Sequence, residues 1–149
     1  MPTIPPALLK AYQATWIDVS LGDETWSVYA GMGEAVLALP PELKAGFWVI
    51  TPCNPQSQKV SDAENQERYA AFWEHARTWA KGSDRVCYRA VGRSAEGAWS
   101  EVSVAFVGMD ASEAHEWGRT YDQMGLFWVD TSGVRIVAVA TAEGSVETL

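Results

Sequence analysis

Six polar residues stand where the surrounding pattern calls for apolar ones or for a loop: Asn54, Ser57, Asn65, Arg68, Glu101 and Ser103. Asn54 and Ser57 lie in Thr51-Pro52-Cys53-Asn54-Pro55-Gln56-Ser57, a segment stiffened by two prolines at the end of an apolar run. Because Asn54 precedes a proline, its backbone is expected to be extended. Asn65 is followed at +4, +7, +11 and +14 by Tyr69, Phe72, Ala76 and Trp79, so helical periodicity puts it within an apolar face and Arg68 on the edge of that face. A buried amide must find hydrogen bonds, since an unpaired one costs about 1–3 kcal/mol. Asn65 therefore either ties down the neighbouring loop or faces a ligand. Glu101 and Ser103 alternate with Val102, Val104 and Phe106, which places the two sets on opposite faces of a strand. If that strand runs antiparallel to Phe47–Thr51, Glu101 comes close to Asn54. Amides and hydroxyls recognise polar groups. An arginine suits an anion, or pairs with Glu101 in a structural bridge. A carboxylate in an apolar cleft can have a raised pKa and act as general base, which makes Glu101 the catalytic candidate.

Other chemistry has little support. His75 and His115 are forty positions apart, on expected solvent faces of helices, and no paired metal spacing occurs. Cys53 and Cys87 form neither a disulfide framework nor a zinc motif and read as reduced, packed thiols. Gly31-Met32-Gly33 lacks the third glycine of a dinucleotide fingerprint. Ser103 has no nucleophile elbow and Cys53 no partner base. No cofactor and no metal is expected.

The run Ile50 to Ser57, then Ser61, Asn65 and Arg68, then Trp99-Ser100-Glu101-Val102-Ser103, then Asp122-Gln123-Met124 before Phe127-Trp128, resembles the signature of the bacterial domain-of-unknown-function family 3293. Tyr12 fits the same pattern, so the resemblance extends from about Tyr12 to Val137. Cys53 stands where the family pattern has tryptophan, and Met124 where it has a smaller residue. The resemblance implies a small bacterial or phage-borne protein with no assigned activity, and it adds Gln123 to the ligand-binding candidates.

The elements that must position these residues follow from periodicity and punctuation. Pro5-Pro6 opens a short helix through Tyr12. Strands are expected at 15–20, 25–29, 47–51, 86–91, 99–107, 126–129 and 134–139. Ser61-Asp62-Ala63-Glu64 and Asp110-Ala111-Ser112-Glu113 are capping-box sequences that open helices over 62–81 and to about Tyr121. The expected fold is α+β, a mostly antiparallel sheet with two main helices packed on it as a two-layer sandwich. It forms one domain, residues 1–149, with a frayed tail over 143–149.

Composition narrows the function. The 149 residues carry 11 Lys+Arg against 19 Asp+Glu, a net charge of −8. That balance disfavours nucleic acid and acidic lipid surfaces as partners. The N-terminus lacks a signal-peptide pattern, and no apolar run is long enough to span a membrane, so a soluble cytoplasmic protein of unknown oligomeric state is expected. Eight tryptophans spread along the chain serve either as core or as a binding surface. Two functions fit. One is a pocket for a small polar or anionic ligand, formed by the Asn-Pro-x-Ser loop, the helix after it and the Trp-x-Glu-x-Ser strand. The other is a non-enzymatic interaction module, regulatory or immunity-like, that docks a basic protein partner. Exposed, clustered tryptophans would favour the second.

Overall fold

A computed structural model describes residues 3–139; the tail expected over 143–149 lies outside the described residues. The elements in chain order are α1 (Pro6–Gln13), β1 (Trp16–Leu21), β2 (Glu24–Tyr29), β3 (Phe47–Ile50), α2 (Asp62–Trp79), β4 (Val86–Arg93), β5 (Ser100–Val107), α3 (Ala111–Thr120), β6 (Gly125–Asp130) and β7 (Gly133–Ala138). Short punctuation fixes their ends. Ser61 caps α2 by accepting from the Glu64 N–H, and Asp110 and Glu113 close a reciprocal capping box on α3.

All seven strands join one antiparallel sheet in the order β2-β1-β4-β5-β3-β6-β7. β3 is inserted between β5 and β6, and its four residues Phe47-Trp48-Val49-Ile50 are all buried, as an uncharged run covered on both faces must be. Alternation divides them between two cores. Phe47 and Val49 join Ile17, Val19, Val28, Ala105, Phe127, Val129 and Val134. Trp48 and Ile50 join Val104, Phe106 and Leu126 with Phe72, Ala76 and Trp79 of α2 and Ala114 and Trp117 of α3.

The first core overturns the two-layer sandwich. It takes residues from every strand, together with Ala30 and Leu43 of the β2–β3 connection, so the sheet curls into a half-barrel around its own interior. Three helices accompany it rather than two. α2 and α3 cover the outer face, and α1 places Tyr12 edge-on against Phe127 in the inner core, ring centroids 5.5 Å apart. Alternation shows that each strand has a buried face, but curling is set by accumulated twist and by what fills the concave side.

Two local expectations also change. Val102 does not share the burial of Val104 and Phe106; it is 40% exposed. β3 ends opposite Val104, so beside Val102 the sheet gives way to a loop whose Thr51 hydroxyl donates to the Val102 carbonyl. His115 is buried on α3 rather than solvent-facing, and His75 stacks on Trp117 with centroids 3.8 Å apart while its Nδ1 lies 2.8 Å from the Tyr121 hydroxyl.

Phe72 is fully buried and meets Phe106, Trp117 and Tyr121 edge-on at 4.6–6.0 Å. Phe72→Ala is expected to cost about 3–5 kcal/mol. In urea unfolding this should lower the midpoint while leaving the slope unchanged, and a loss under about 1 kcal/mol would contradict the packing described.

Candidate functional site

The site begins where β3 runs out. Thr51 keeps contact with β5 through its hydroxyl bond to Val102, and the Cys53 N–H donates back to the Thr51 hydroxyl at 3.1 Å. The chain then enters an unusual conformation. Asn54, Gln56 and Ser57 have φ of 49°, 54° and 60°, three non-glycine residues in the left-handed region within four positions. Asn54 is thus not extended, as the following proline suggested. Asparagine tolerates the left-handed region better than most residues, and here four hydrogen bonds select it. Its N–H donates to Asn65 Oδ1 (3.0 Å) and its Nδ2 to Glu101 Oε2 (2.6 Å); its Oδ1 accepts from Asn65 Nδ2 (3.1 Å) and from the Val60 N–H (3.1 Å).

The remaining sequence candidates fall into two groups. Arg68 donates through Nε to the Pro52 carbonyl (2.6 Å) and through Nη2 to the Tyr121 carbonyl (3.2 Å). Gln123 Nε2 donates to the Cys53 and Tyr121 carbonyls, both at 3.1 Å, and the Gln56 N–H donates to the Asp122 carbonyl at 2.6 Å. Arg68, Gln123 and Asn65 are therefore a cradle that holds the loop's backbone and the segment after α3. The expected Arg68–Glu101 bridge does not form, because the guanidinium is taken by backbone carbonyls. Ser103 is buried, and its hydroxyl donates to the Glu101 carbonyl at 3.1 Å. Neither Arg68 nor Ser103 lines the cavity described next; Arg68 supports the loop and Ser103 bonds within β5.

That cavity, of about 520 Å³, lies between α1, the loop, the first turn of α2 and the start of β5. Asn54, Ser57, Asn65, Glu101 and Gln123 line it, with Lys59, Asp62 and Trp99. The opposite wall is one the sequence reading did not assign: Leu8, Ala11, Tyr12 and Thr15 of and after α1. Their spacing of i, i+3, i+4 and i+7 is one face of a helix, a signal that was available in the sequence. Tyr12 approaches closely because residue 125 is glycine; a Cβ there would stand 2.9 Å from the Tyr12 ring.

Electrostatics single out Glu101. Burial raises its pKa above the ordinary carboxylate value, and the Asn54 hydrogen bond offsets this only in part. No lysine or arginine of the described residues lies within 4 Å of it, and its Oε1 makes no hydrogen bond with them. Burial also raises the Tyr12 phenol, with the Glu101 charge adding to the effect and Ser57 and the Gly125 backbone opposing it. Among the described residues, no group of three or more His, Cys, Asp and Glu is placed to hold a metal ion, and no helix is long and apolar enough to cross a membrane.

Removing a cradle residue should be costly. Each bond from a charged donor to a carbonyl contributes about 1.5–3 kcal/mol, so Arg68→Ala is expected to lose about 3 kcal/mol or more in denaturant unfolding, and a near-neutral result would contradict the cradle. Glu101 should act in the opposite sense. The folded chain holds its proton to higher pH than the unfolded chain does. Its contribution to stability is therefore largest below the ordinary glutamate range and falls as pH rises to the higher folded value. The stability of the wild type relative to Glu101→Gln should decline across that window in paired melts, and a flat difference would show that Glu101 is solvated.

No curated protein and no solved structure matches the chain. A family model described as a protein of unknown function, DUF3293, matches residues 50–126, from the last residue of β3 to the start of β6. That span contains Asn54, Ser57, Asn65, Arg68, Glu101, Ser103 and Gln123, and it is just over half of the chain. The chain accordingly belongs to the DUF3293 family of proteins of unknown function.

Proposed function

We propose that this protein binds a small polar ligand in the cavity between α1 and the Asn54–Ser57 loop, and that the ligand presents an N–H or O–H donor to Glu101. One observation carries the reading: Glu101 is half-buried on the cavity wall with a single amide donor and no Lys or Arg of the described residues within 4 Å. A carboxylate in that state gains from a donor that a ligand brings in, since hydrogen bonds to charged groups are the stronger kind. Of the polar or anionic ligands expected from sequence, this favours the polar and the cationic. An anion would meet Glu101 and Asp62 with Lys59 alone on the wall to offset them.

The loop supports the same reading. Left-handed backbone at Gln56 and Ser57 costs of order 1 kcal/mol or more per residue. Arg68, Asn65 and Gln123 together hold the segment that bears this strain and that aims Asn54 and Ser57 at the cavity. Glu101 is also the group best suited to accept a proton from a bound ligand, while the amides and hydroxyls around it recognise rather than react. Clustered exposed tryptophans would have favoured the interaction-module alternative. Of the eight, Trp99 alone is exposed, at the cavity rim; Trp48, Trp79 and Trp117 are buried and the others half-buried.

A thermal-shift screen of a metabolite library against the wild type, Glu101→Gln and Tyr12→Phe tests this. Stabilising compounds should carry amine, amide or hydroxyl donors, and Glu101→Gln should weaken them by about tenfold or more, the equivalent of about 1.4 kcal/mol. Hits that are chiefly anions, or that Glu101→Gln leaves unchanged, would overturn the assignment.

A further inference from the structure

A second cavity lies on the outer face of the sheet, between α2 and the β4–β5 strands, and it is built around an arginine without an acidic partner. Among the arginines, Arg77, Arg85, Arg93 and Arg135 each pair with a carboxylate, and Arg68 is taken by two carbonyls. Arg89 is held differently. Its guanidinium lies 4.2 Å from the Trp73 ring centroid and 5.6 Å from that of Tyr69, and its Nη1 donates to the Tyr69 hydroxyl at 3.3 Å. Tyr69 is fixed in turn by donating to the Ser103 carbonyl. No carboxylate of the described residues is within 4 Å of Arg89, and its Nε and Nη2 edge makes no hydrogen bond with them. In a chain of net charge −8, a guanidinium kept off the abundant carboxylates and locked on aromatic rings is poised for an external acceptor.

The surroundings define the ligand class. The cavity is about 640 Å³, and Ala70, Trp73 and the partly exposed Val102 give it an apolar wall beside Arg89. Asp62, Glu74 and Glu101 also line it, and Glu74 is engaged by Arg77 at 3.4 Å. These carboxylates repel any anion, but a dianion such as phosphate about twice as strongly as a monoanion, with one aromatic-held guanidinium to offset them. A planar monoanion accepts two parallel bonds from the Nε/Nη2 edge. We infer that Arg89, Trp73, Tyr69 and Val102 form a binding site for a monocarboxylate with an apolar body, next to the donor-seeking pocket and sharing the Asn65–Glu101 wall with it. Register sets the two key groups apart: Arg89 lies opposite Val104, whereas Glu101 lies opposite Gly92, three positions along and starting from the other face of the sheet, and the two cavities meet at Ser100 and Glu101.

The test uses the arginine Nε–H and tryptophan Nε1–H resonances of the uniformly labelled full chain, titrated with benzoate, benzamide and inorganic phosphate. Benzoate should give saturable shifts at Arg89 and Trp73. Benzamide, the neutral isostere, and phosphate should give at least about tenfold weaker ones. Arg89→Gln should abolish the benzoate shifts at Trp73. Arg89→Lys, which keeps the charge without the fork, should weaken them by a similar factor. Both variants change an exposed side chain, and unchanged melting would confirm that the fold is intact. Tyr12→Phe, which changes the wall of the first pocket alone, should leave benzoate binding in place, so this site and the Glu101 pocket can fail separately. No saturable benzoate shift, equal binding of benzamide or phosphate, or retained binding in Arg89→Gln would each overturn the inference.

Discussion

The site depends on one reciprocal pair of amides. Asn54 and Asn65 exchange two hydrogen bonds, backbone N–H to side-chain oxygen in one direction and side-chain N–H to side-chain oxygen in the other. That exchange fixes Asn54 in a left-handed conformation and leaves its Nδ2 free to reach Glu101. It also welds the loop to the first turns of α2, whose own position is set by Phe72, Ala76 and Trp79 in the outer core. Loop, helix and carboxylate are therefore placed by a single geometry, and the cavity inherits its shape from it. No residue but asparagine supplies both an acceptor and two donors on so short a stem while tolerating positive φ.

The cradle and the cavity face different demands. Arg68 and Gln123 are spent on backbone carbonyls of Pro52, Cys53 and Tyr121, groups that could not otherwise be satisfied in a turn of this kind. Glu101 is half-buried and takes one amide donor on Oε2, with Oε1 left open on the cavity wall. Placing the arginine behind the loop rather than beside the carboxylate stabilises the scaffold and keeps the carboxylate available. This division is characteristic of a binding surface positioned by a rigid frame.

Much of this was legible before any coordinates, and the parts that were not have identifiable causes. The strands and helices fall within about two residues of their expected places because turn residues and capping sequences are local signals. Asn65 and Glu101 were visible as polar interruptions of apolar patterns, and their convergence with Asn54 followed from antiparallel pairing of β3 with β5. The curl of the sheet was not visible, since alternation is the same in a flat sheet and in a half-barrel. Nor was the left-handed turn at Asn54, where the local bias of Pro55 was outweighed by four tertiary hydrogen bonds. The carbonyl partners of Arg68 are not legible either, because its helical position on the edge of an apolar face is the same whether it meets a ligand or a backbone carbonyl. The tryptophan count says only that large side chains have to be placed; six of them lie in or against the cores.

The half-barrel explains why the pocket has two walls of different origin. β3 ends in the middle of the sheet while its neighbour β5 continues, so an open edge appears beside Val102 and Glu101. The Asn54–Ser57 loop covers that edge from the outer side, and α1, packed by Tyr12 against Phe127, approaches it from the inner side. The loop, its cradle and Glu101 all lie within the segment matched by the family model, whereas Leu8, Ala11, Tyr12 and Thr15 lie before it. The frame that holds the carboxylate is thus contiguous in sequence and internally bonded. The facing wall is a separate helix that touches it mainly through one aromatic ring seated on Gly125. A change in α1 would reshape the cavity and could reach the loop through Tyr12 and Ser57, while the hydrogen bonds of Asn54 with Asn65, Val60 and Glu101 involve no residue of α1. A change in the cradle would disturb the loop and the cavity together.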